Sequence, residues 1–210
     1  MLKVGGSSIS FSSPATAYDG DPVYLDSVFD SENNRIVVSF GNDSDSGKGY
    51  VIVGSLSGTT VTWGTATKFE DGNTDFGKIC FDSTANKVVI AYRDQSNSGY
   101  GTSVVGTISG TSISFGSPVV FESASTVWIG IAYDSNANRT VISYEDGGNS
   151  SYGTAIVGTI SGTGISFGSP VVFEEAQTNF SDAVFDPSSN KIVIAYQDAG
   201  DGAAGKAIIG

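Results

Sequence analysis

One segment of the chain occurs twice almost unchanged, 52 residues apart, and this repeat constrains the fold more than any other feature. The segment from Gly106 to Glu122 returns as Gly158 to Glu174. The same spacing relates equivalent residues in all four copies: Phe11, Trp63, Phe115 and Phe167; Asp30, Asp82, Asp134 and Asp186; Gly49, Gly101, Gly153 and Gly205. Because the copies follow one another without insertions, we expect one repetitive domain over residues 1–210.

Each copy contains four strand-like segments, which we name a, b, c and d. In the third copy strands a, b and c are Val127–Tyr133, Thr140–Tyr144 and Thr154–Ile160, and the strand d that precedes them runs from Ser112 to Phe121. They are rich in β-branched and aromatic residues and bounded by Gly, Asn, Asp and Ser, which is typical of β-strands. Four strands in 52 residues is the size of one propeller blade. The repeat therefore predicts an all-β propeller with four blades of four antiparallel strands.

The ends of the chain fall in the middle of a repeat, which predicts how the ring closes. Residues 1–17 correspond to a strand d without its own blade, and residues 205–210 end on a strand c. The N-terminal strand can therefore complete the last blade and cover two sheet edges. The alternative is that the same strand pairs with a second chain, so that two half-rings form an eight-bladed homodimer. We accordingly expect a monomer or a ring-completing homodimer.

Composition excludes several classes of function. The chain has 10 Lys and Arg against 22 Asp and Glu, a net charge of −12, no His and one Cys. An acidic chain without a basic patch is not expected to bind nucleic acid. Without His, neither a His/Cys zinc site nor a Ser-His or Cys-His nucleophile can form. No apolar run is long enough for membrane insertion. The opening residues Met1–Gly6 show no signal-peptide core, and we expect a virion or extracellular location.

Two sequence motifs of the repeat resemble those of known proteins. Tyr133-Asp-Ser-Asn-Ala-Asn-Arg139 and Tyr152-Gly-Thr-Ala-Ile-Val-Gly-Thr-Ile-Ser-Gly-Thr163 resemble highly repetitive phage and bacterial fibre or surface proteins built from amplified blades. Ser55–Trp63 is similar to the Asp-box turn of sialidase propellers, although Ser57 stands where that turn has Asp. The resemblance implies a propeller and leaves the ligand open.

Acidic residues are concentrated in the loops of one face of the predicted propeller. The d–a and b–c loops hold fifteen carboxylates and only two cations, Lys48 and Arg93, whereas the opposite face is nearly neutral. This acidity serves solubility or attracts a partner. The b–c loop that contains Asp43 and Asp45 resembles part of a calcium loop, although a polar turn is the simpler interpretation. No other cofactor is expected.

Further candidates for binding a ligand lie in the loops and at one position of strand a. Tyr100 and Tyr152 end the b–c loops, where tyrosines can stack on sugars, and Arg93 lies on the same face. One position of strand a varies between the copies and is Asp in only two of them. It is occupied by Asp26, Lys78, Gly130 and Asp182. Near a propeller axis these side chains would form either a balanced ion group or a binding site.

A nearby position of strand a is aromatic in every copy. Its residues are Tyr24, Phe76, Trp128 and Phe180. We expect these four side chains in the core because they repeat in kind.

These patterns favour a non-catalytic function. Enzyme sites usually break repeat symmetry with unique residues, and few residues here do so. We therefore expect a binding or structural module, such as a virion or adhesin domain with a glycan or protein receptor, and no enzyme. A lectin-like propeller is the alternative, and a glycosidase with paired carboxylates is the third hypothesis.

Overall fold

The computed structural model describes residues 12–210 and contains fifteen antiparallel strands. They form four successive units, numbered 1 to 4 along the chain, each with strands a, b and c at the predicted places. Strands a to c of unit 1 are β1 (Pro22–Asp30), β2 (Arg35–Asn42) and β3 (Lys48–Ser57). Strands b and c of the later units are β6 (Lys87–Asp94), β7 (Tyr100–Ser109), β10 (Arg139–Asp146), β11 (Tyr152–Ser161), β14 (Lys191–Asp198) and β15 (Ala204–Ile209). The all-β prediction is confirmed.

Strand d differs from the prediction, because it consists of two pieces. The first pieces are β4 (Thr60–Trp63), β8 (Ser112–Phe115) and β12 (Gly164–Phe167). The second pieces are the beginnings of three 16-residue strands, β5 (Thr67–Asp82), β9 (Val119–Asp134) and β13 (Val171–Asp186). Pro118 and Pro170 lie in the breaks between the pieces, since proline cannot donate to a sheet ladder.

The three long strands connect one unit to the next. The beginning of β9 pairs with β7 of unit 2, whereas its remainder pairs with β10 of unit 3. A register shift separates Tyr100 from Gly101 and Gly101 from Thr102 where β9 leaves β7. Each long strand is therefore the outer strand of one unit and the inner strand of the following unit.

The hydrophobic core lies between successive units. One cluster joins unit 1 to unit 2 through Val37 and Ile90, a second joins unit 2 to unit 3 through Val89 and Ile142, and a third involves Ala132 and Ile194 of units 3 and 4. Strand b of unit 2 is buried on both faces, as its continuous apolar sequence predicts, whereas strand b of unit 4 alternates buried residues with exposed or half-buried ones. The sheets of successive units therefore pack face to face, with their inner strands a converging, which gives a propeller-like fold.

The predicted ring closure is not found in the described part of the chain. Within residues 12–210 the sheet is open, because β1 pairs with β2 alone and β15 with β14 alone. Residues 12–18 form no strand, so this part of the expected N-terminal strand does not pair with β15. The preceding residues 1–11 lie outside the described residues.

Turns on the two faces use different polar residues. Each a–b turn contains an asparagine with left-handed φ between 53° and 57°, a conformation that asparagine tolerates. The b–c loops contain three short 3₁₀ helices, at Asp43–Asp45, Gln95–Asn97 and Ala199–Asp201. Asp94 and Asp198 cap the second and third of these helices through their carboxylates. Among residues 12–210 there is no helix with the length and apolar character needed to span a membrane.

Candidate functional site

The inner strands of the four units bring the variable position of strand a together. Lys78 Nζ of unit 2 lies 3.6 Å from Asp182 Oδ2 of unit 4. Between them, Gly130 of unit 3 permits a close approach, since a Cβ atom there would meet the Asp182 Cα at 2.7 Å. The position that varies between repeats therefore forms a charged group where the inner strands converge.

Asp26 is fixed by backbone hydrogen bonds. Its Oδ1 accepts a bond from the Ser27 amide at 2.9 Å, and its Oδ2 accepts one from the Ile79 amide at 2.9 Å. The second bond crosses from unit 1 to unit 2, so the carboxylate is held beside Lys78 on the neighbouring strand. Asp182 also has one oxygen bound by an amide, that of Ala183 at 3.0 Å.

A pocket of about 330 Å³ lies among these inner strands. Lys78 and Asp182 contribute charged groups to its wall. We call its four aromatic residues the aromatic quartet; they are Tyr24, Phe76, Trp128 and Phe180. An apolar wall with a few convergent charged groups is the usual composition of a small-molecule site.

The expectation that the aromatic quartet belongs to the core is wrong for its two end residues, whereas Phe76 packs against the core cluster of units 2 and 3. Tyr24 is 46% exposed and Phe180 is 60% exposed. Neighbouring rings contact one another, with centroids 5.4 Å apart for Tyr24 and Phe76, 5.0 Å for Phe76 and Trp128, and 4.1 Å for Trp128 and Phe180. Repetition in kind marks a core position in most strands; here it marks rings that face the pocket.

Charged loop residues approach the pocket at Tyr24. Burial raises the pKa of Tyr24, the charges of Asp75 and Asp43 raise it further, and Arg93 lowers it. Asp75 immediately precedes Phe76, and its backbone pairs with that of Arg93. The acidic loops and the pocket therefore belong to the same end of the molecule.

Of the predicted binding residues, Lys78 and Asp182 belong to the pocket wall, whereas Asp26, Arg93, Tyr100 and Tyr152 do not. Tyr100 and Tyr152 begin strands β7 and β11, and both are half-buried. The Arg93 guanidinium donates to Ser125 Oγ at 3.3 Å, so it bridges units 2 and 3. Within the described residues, the structure does not bring these three side chains together with Asp26, Lys78 and Asp182.

One of the two predicted calcium ligands, Asp45, has protein partners. Asp45 accepts hydrogen bonds from Lys48 Nζ at 2.8 Å and from Tyr50 Oη at 2.6 Å. These two bonds lower the pKa of Asp45. Residues 12–210 contain no cluster of three or more His, Cys, Asp or Glu side chains that could hold a metal. Calcium binding by Asp43 and Asp45 would require the contacts of Asp45 to be broken, and it stays a prediction.

Sequence reasoning missed a further buried acid close to this end of the pocket. Glu145 is 7% exposed, and its backbone pairs with Val127, next to Trp128. Its Oε2 has no hydrogen-bond partner among the described residues. The sequence does mark this position, because it varies between the copies: the equivalent residues are Gly41, Arg93 and Gln197.

Comparison with solved structures identifies proteins of similar fold. An exo-β-1,3-galactanase from Phanerochaete chrysosporium, solved with β-1,3-galactotriose, matches 90% of this chain and 45% of its own with a TM-score of 0.57 and 10% identity. The GH62 α-L-arabinofuranosidase catalytic domain from Coprinopsis cinerea matches 90% and 63% at a TM-score of 0.51 and 10% identity. A GH43 protein from Bacillus licheniformis matches 85% of this chain and 37% of its own, with a TM-score of 0.51 and 12% identity. No protein-family model and no curated protein sequence matches the chain.

These neighbours support a propeller-like fold and correct the functional expectation. The chain spans between 37% and 63% of their lengths. All three are glycoside hydrolases, which contradicts the expectation of a non-catalytic module and of no enzyme. Low chemical diversity does not exclude a site, because a repeat protein can place one residue of each copy at a common point. Asp26, Lys78 and Asp182 occupy the same repeat position and yet are brought together by the inner strands.

Proposed function

We propose that the pocket among the inner strands is the active site of a glycoside hydrolase. The observation that carries this proposal is a pocket whose wall combines the aromatic quartet with Lys78 and Asp182. Asp26 follows Leu25 of this wall and is bound to the amide of Ile79, the residue after Lys78. Aromatic rings can stack on sugar rings, and carboxyl groups are the usual catalysts of glycosidic bond cleavage. The glycosidase identity of the structural neighbours supports the same class of reaction.

Asp26 and Asp182 supply the two carboxyl groups in this proposal. Glycoside hydrolysis needs one group that protonates the leaving oxygen and another that activates water or attacks the sugar. Asp26 is positioned by two amides, whereas Asp182 is 64% exposed and faces Lys78 across the pocket. The Lys78 ammonium holds Asp182 in place and offsets one of the two negative charges.

We also propose that each repeat is one propeller blade. The packing of each unit against the next through strand b supports this interpretation, as do the propeller-like neighbours. The blades converge through their strands a, so a substrate would enter from the acidic loop end, where Asp75 and Arg93 lie.

Hydrolysis of aryl glycosides tests the proposed function. Substrates would be aryl β-D-galactopyranosides, β-D-xylopyranosides and α-L-arabinofuranosides, each with a good and a poor leaving group. Asp26→Asn and Asp182→Asn should each lower kcat/KM by about 10²- to 10⁴-fold with the poor leaving group. The variant that lacks the proton donor should retain more activity with the good leaving group, because that group needs no protonation.

The control is Glu32→Gln, which removes one negative charge from an exposed a–b turn at the other end of the strands. This variant should hydrolyse each substrate at the wild-type rate. If neither aspartate variant changes the rate of an active wild type, the catalytic groups lie elsewhere. If the wild type cleaves no glycoside of a broad panel, the proposed function is wrong.

A further inference from the structure

The backbone of the aromatic quartet is strained in every unit. Tyr24, Phe76, Trp128 and Phe180 have φ between 51° and 53°, in the left-handed region. Each lies at or beside a register irregularity of its strand a, as between Val23 and Asp26 of β1. A bulky side chain in this conformation costs on the order of 1 kcal/mol or more, whereas Gly or Asn adopts it readily.

Burial does not offset this cost for the rings at the two ends of the quartet. Phe180 is 60% exposed and Tyr24 is 46% exposed, although a residue at φ near 53° would be less strained as glycine. The left-handed backbone turns these side chains into the pocket rather than into the packing between units. Strained residues of this kind concentrate at ligand sites, where the strain holds a side chain ready for contact.

The charge near the quartet restricts the ligand. Tyr24 and Phe76 line the pocket, and Asp75 immediately precedes Phe76. Burial raises the pKa of Tyr24, the charges of Asp75 and Asp43 raise it further and Arg93 lowers it, so two carboxylates and one cation act on the phenol. The Lys78 ammonium is paired with Asp182. A ligand that enters between these carboxylates therefore meets a negative potential, which repels anions.

We propose that the aromatic quartet is a stacking subsite for uncharged sugar rings and that the acidic entrance excludes glycans that carry carboxylates. This inference rests on the proposed function, because it assumes that the pocket receives a glycan. A neutral pyranose presents an apolar C–H face that fits an aromatic ring, and its hydroxyl groups can reach Lys78 and Asp182 of the pocket wall. A uronic acid of the same shape would bring a carboxylate into the negative potential.

Trp128 provides a direct reporter of binding. The chain has two tryptophans, and Trp63→Phe removes the other while restoring the Phe present in the third and fourth copies of the repeat. In the Trp63→Phe/Asp26→Asn protein, which prevents turnover of the ligand, fluorescence would be titrated with β-1,3-galactotriose, xylotetraose and trigalacturonic acid. The neutral oligosaccharides should change Trp128 emission saturably, and trigalacturonic acid should bind at least tenfold more weakly at low salt.

Phe180→Asn separates a binding role from a structural role. Asparagine accepts the left-handed φ, and the lost ring is mostly exposed, so the urea midpoint should be unchanged or higher. The Kd for the neutral oligosaccharide should rise about tenfold, as expected for the loss of one stacking contact. Phe180→Gly should behave in the same way, because it relieves the strain without any side chain.

Several results would overturn the inference. They are unchanged affinity in Phe180→Asn, equal affinity for trigalacturonic acid, no binding of any neutral oligosaccharide, or binding of choline instead, which would make the quartet a cation cage. Binding that depends on Phe180 in a protein that hydrolyses nothing would overturn the proposed function and leave this inference standing. Hydrolysis with an unchanged KM in Phe180→Asn would overturn this inference and leave the proposed function standing.

Discussion

At the residue scale, three tyrosines of strand b hold the acids of the connecting strands in place. Tyr92, Tyr144 and Tyr196 donate hydrogen bonds to Glu70, Glu122 and Glu174 at 2.9, 3.2 and 2.9 Å. Burial raises the pKa of Glu122, the charge of Asp146 raises it further, and the bond from Tyr144 opposes the shift. Most acids at this end of the molecule thus have a donor nearby, which makes an unpaired acid informative.

Glu145 is a buried acid with one unpaired oxygen, Oε2, and its replacement should stabilise the protein. Burial raises the pKa of Glu145 above its ordinary value, with a bond from Ser151 opposing the shift. The ionised form is therefore disfavoured in the fold, and Glu145→Gln should increase the free energy of unfolding at pH 7 by about 1 kcal/mol. The fourth repeat already has Gln197 at this position.

The pH dependence of that gain follows from the direction of the shift. Because the folded pKa is raised, the wild type gains stability as the pH falls through that pKa, and the gain is complete below the ordinary glutamate value of about 4.3. The difference between Glu145→Gln and wild type should therefore disappear near about pH 4. Urea unfolding at both pH values measures it, and a variant less stable than wild type at pH 7 would refute this account.

At the element scale, the a–b turns of successive units are joined by side-chain hydrogen bonds. Asn138 Oδ1 accepts bonds from Thr84 Oγ1 at 2.7 Å and from Tyr133 Oη at 3.2 Å, so the turn of unit 3 is bound to that of unit 2. Asn86 and Asn190 receive equivalent bonds from Asn33 and Asn136. These asparagines combine a left-handed backbone with a contact between units.

A matched pair of glycine variants separates these two roles. Asn138→Gly keeps the left-handed backbone and loses the bond from Thr84 of unit 2 together with the bond from Tyr133 of its own unit. Asn34→Gly makes the same backbone change in unit 1, which has no preceding unit in the described part of the chain. Asn138→Gly should cost about 1 kcal/mol more in urea unfolding than Asn34→Gly. Equal costs would mean that the bonds between turns contribute nothing to stability.

The strands, their order and the burial of strand b in unit 2 could be predicted from the repeat, because alternation and β-branching act locally. The splitting of strand d could not, since the passage of β9 from unit 2 to unit 3 depends on how neighbouring sheets pack. The convergence of Asp26, Lys78 and Asp182 was visible as variation at one position. The exposure of Phe180 was not, because its left-handed φ is set by the register shift in β13 and leaves no mark in the sequence.

At the scale of the whole molecule, units 1 and 4 each have an apolar face that residues 12–210 leave uncovered. Phe29 is 52% exposed although its counterpart Phe81 is 9% exposed, and Val184 is 60% exposed although Ala132 is 5% exposed. In units 2 to 4, the face that contains the counterpart of Phe29 packs against the preceding unit. In units 1 to 3, the face that contains the counterpart of Val184 packs against the following unit. The two surfaces are therefore complementary, and we predict that two copies of the chain associate through them.

The mass in solution tests this association. Two chains of 21.6 kDa would give about 43 kDa by light scattering. Phe29→Glu should reduce the mass to that of one chain, whereas Val120→Glu, a change of a 40% exposed side chain on an outer strand, should not. A wild-type mass of one chain would mean that the faces are covered within a single ring.

A crystal structure of Asp26→Asn with a bound neutral oligosaccharide tests most directly whether the pocket among the inner strands is the site of glycoside hydrolysis. We expect a sugar ring against Phe180 and Trp128, with a glycosidic oxygen between residue 26 and Asp182. Density for the sugar at Tyr100 or Tyr152 on the loops, with the pocket unoccupied, would contradict it.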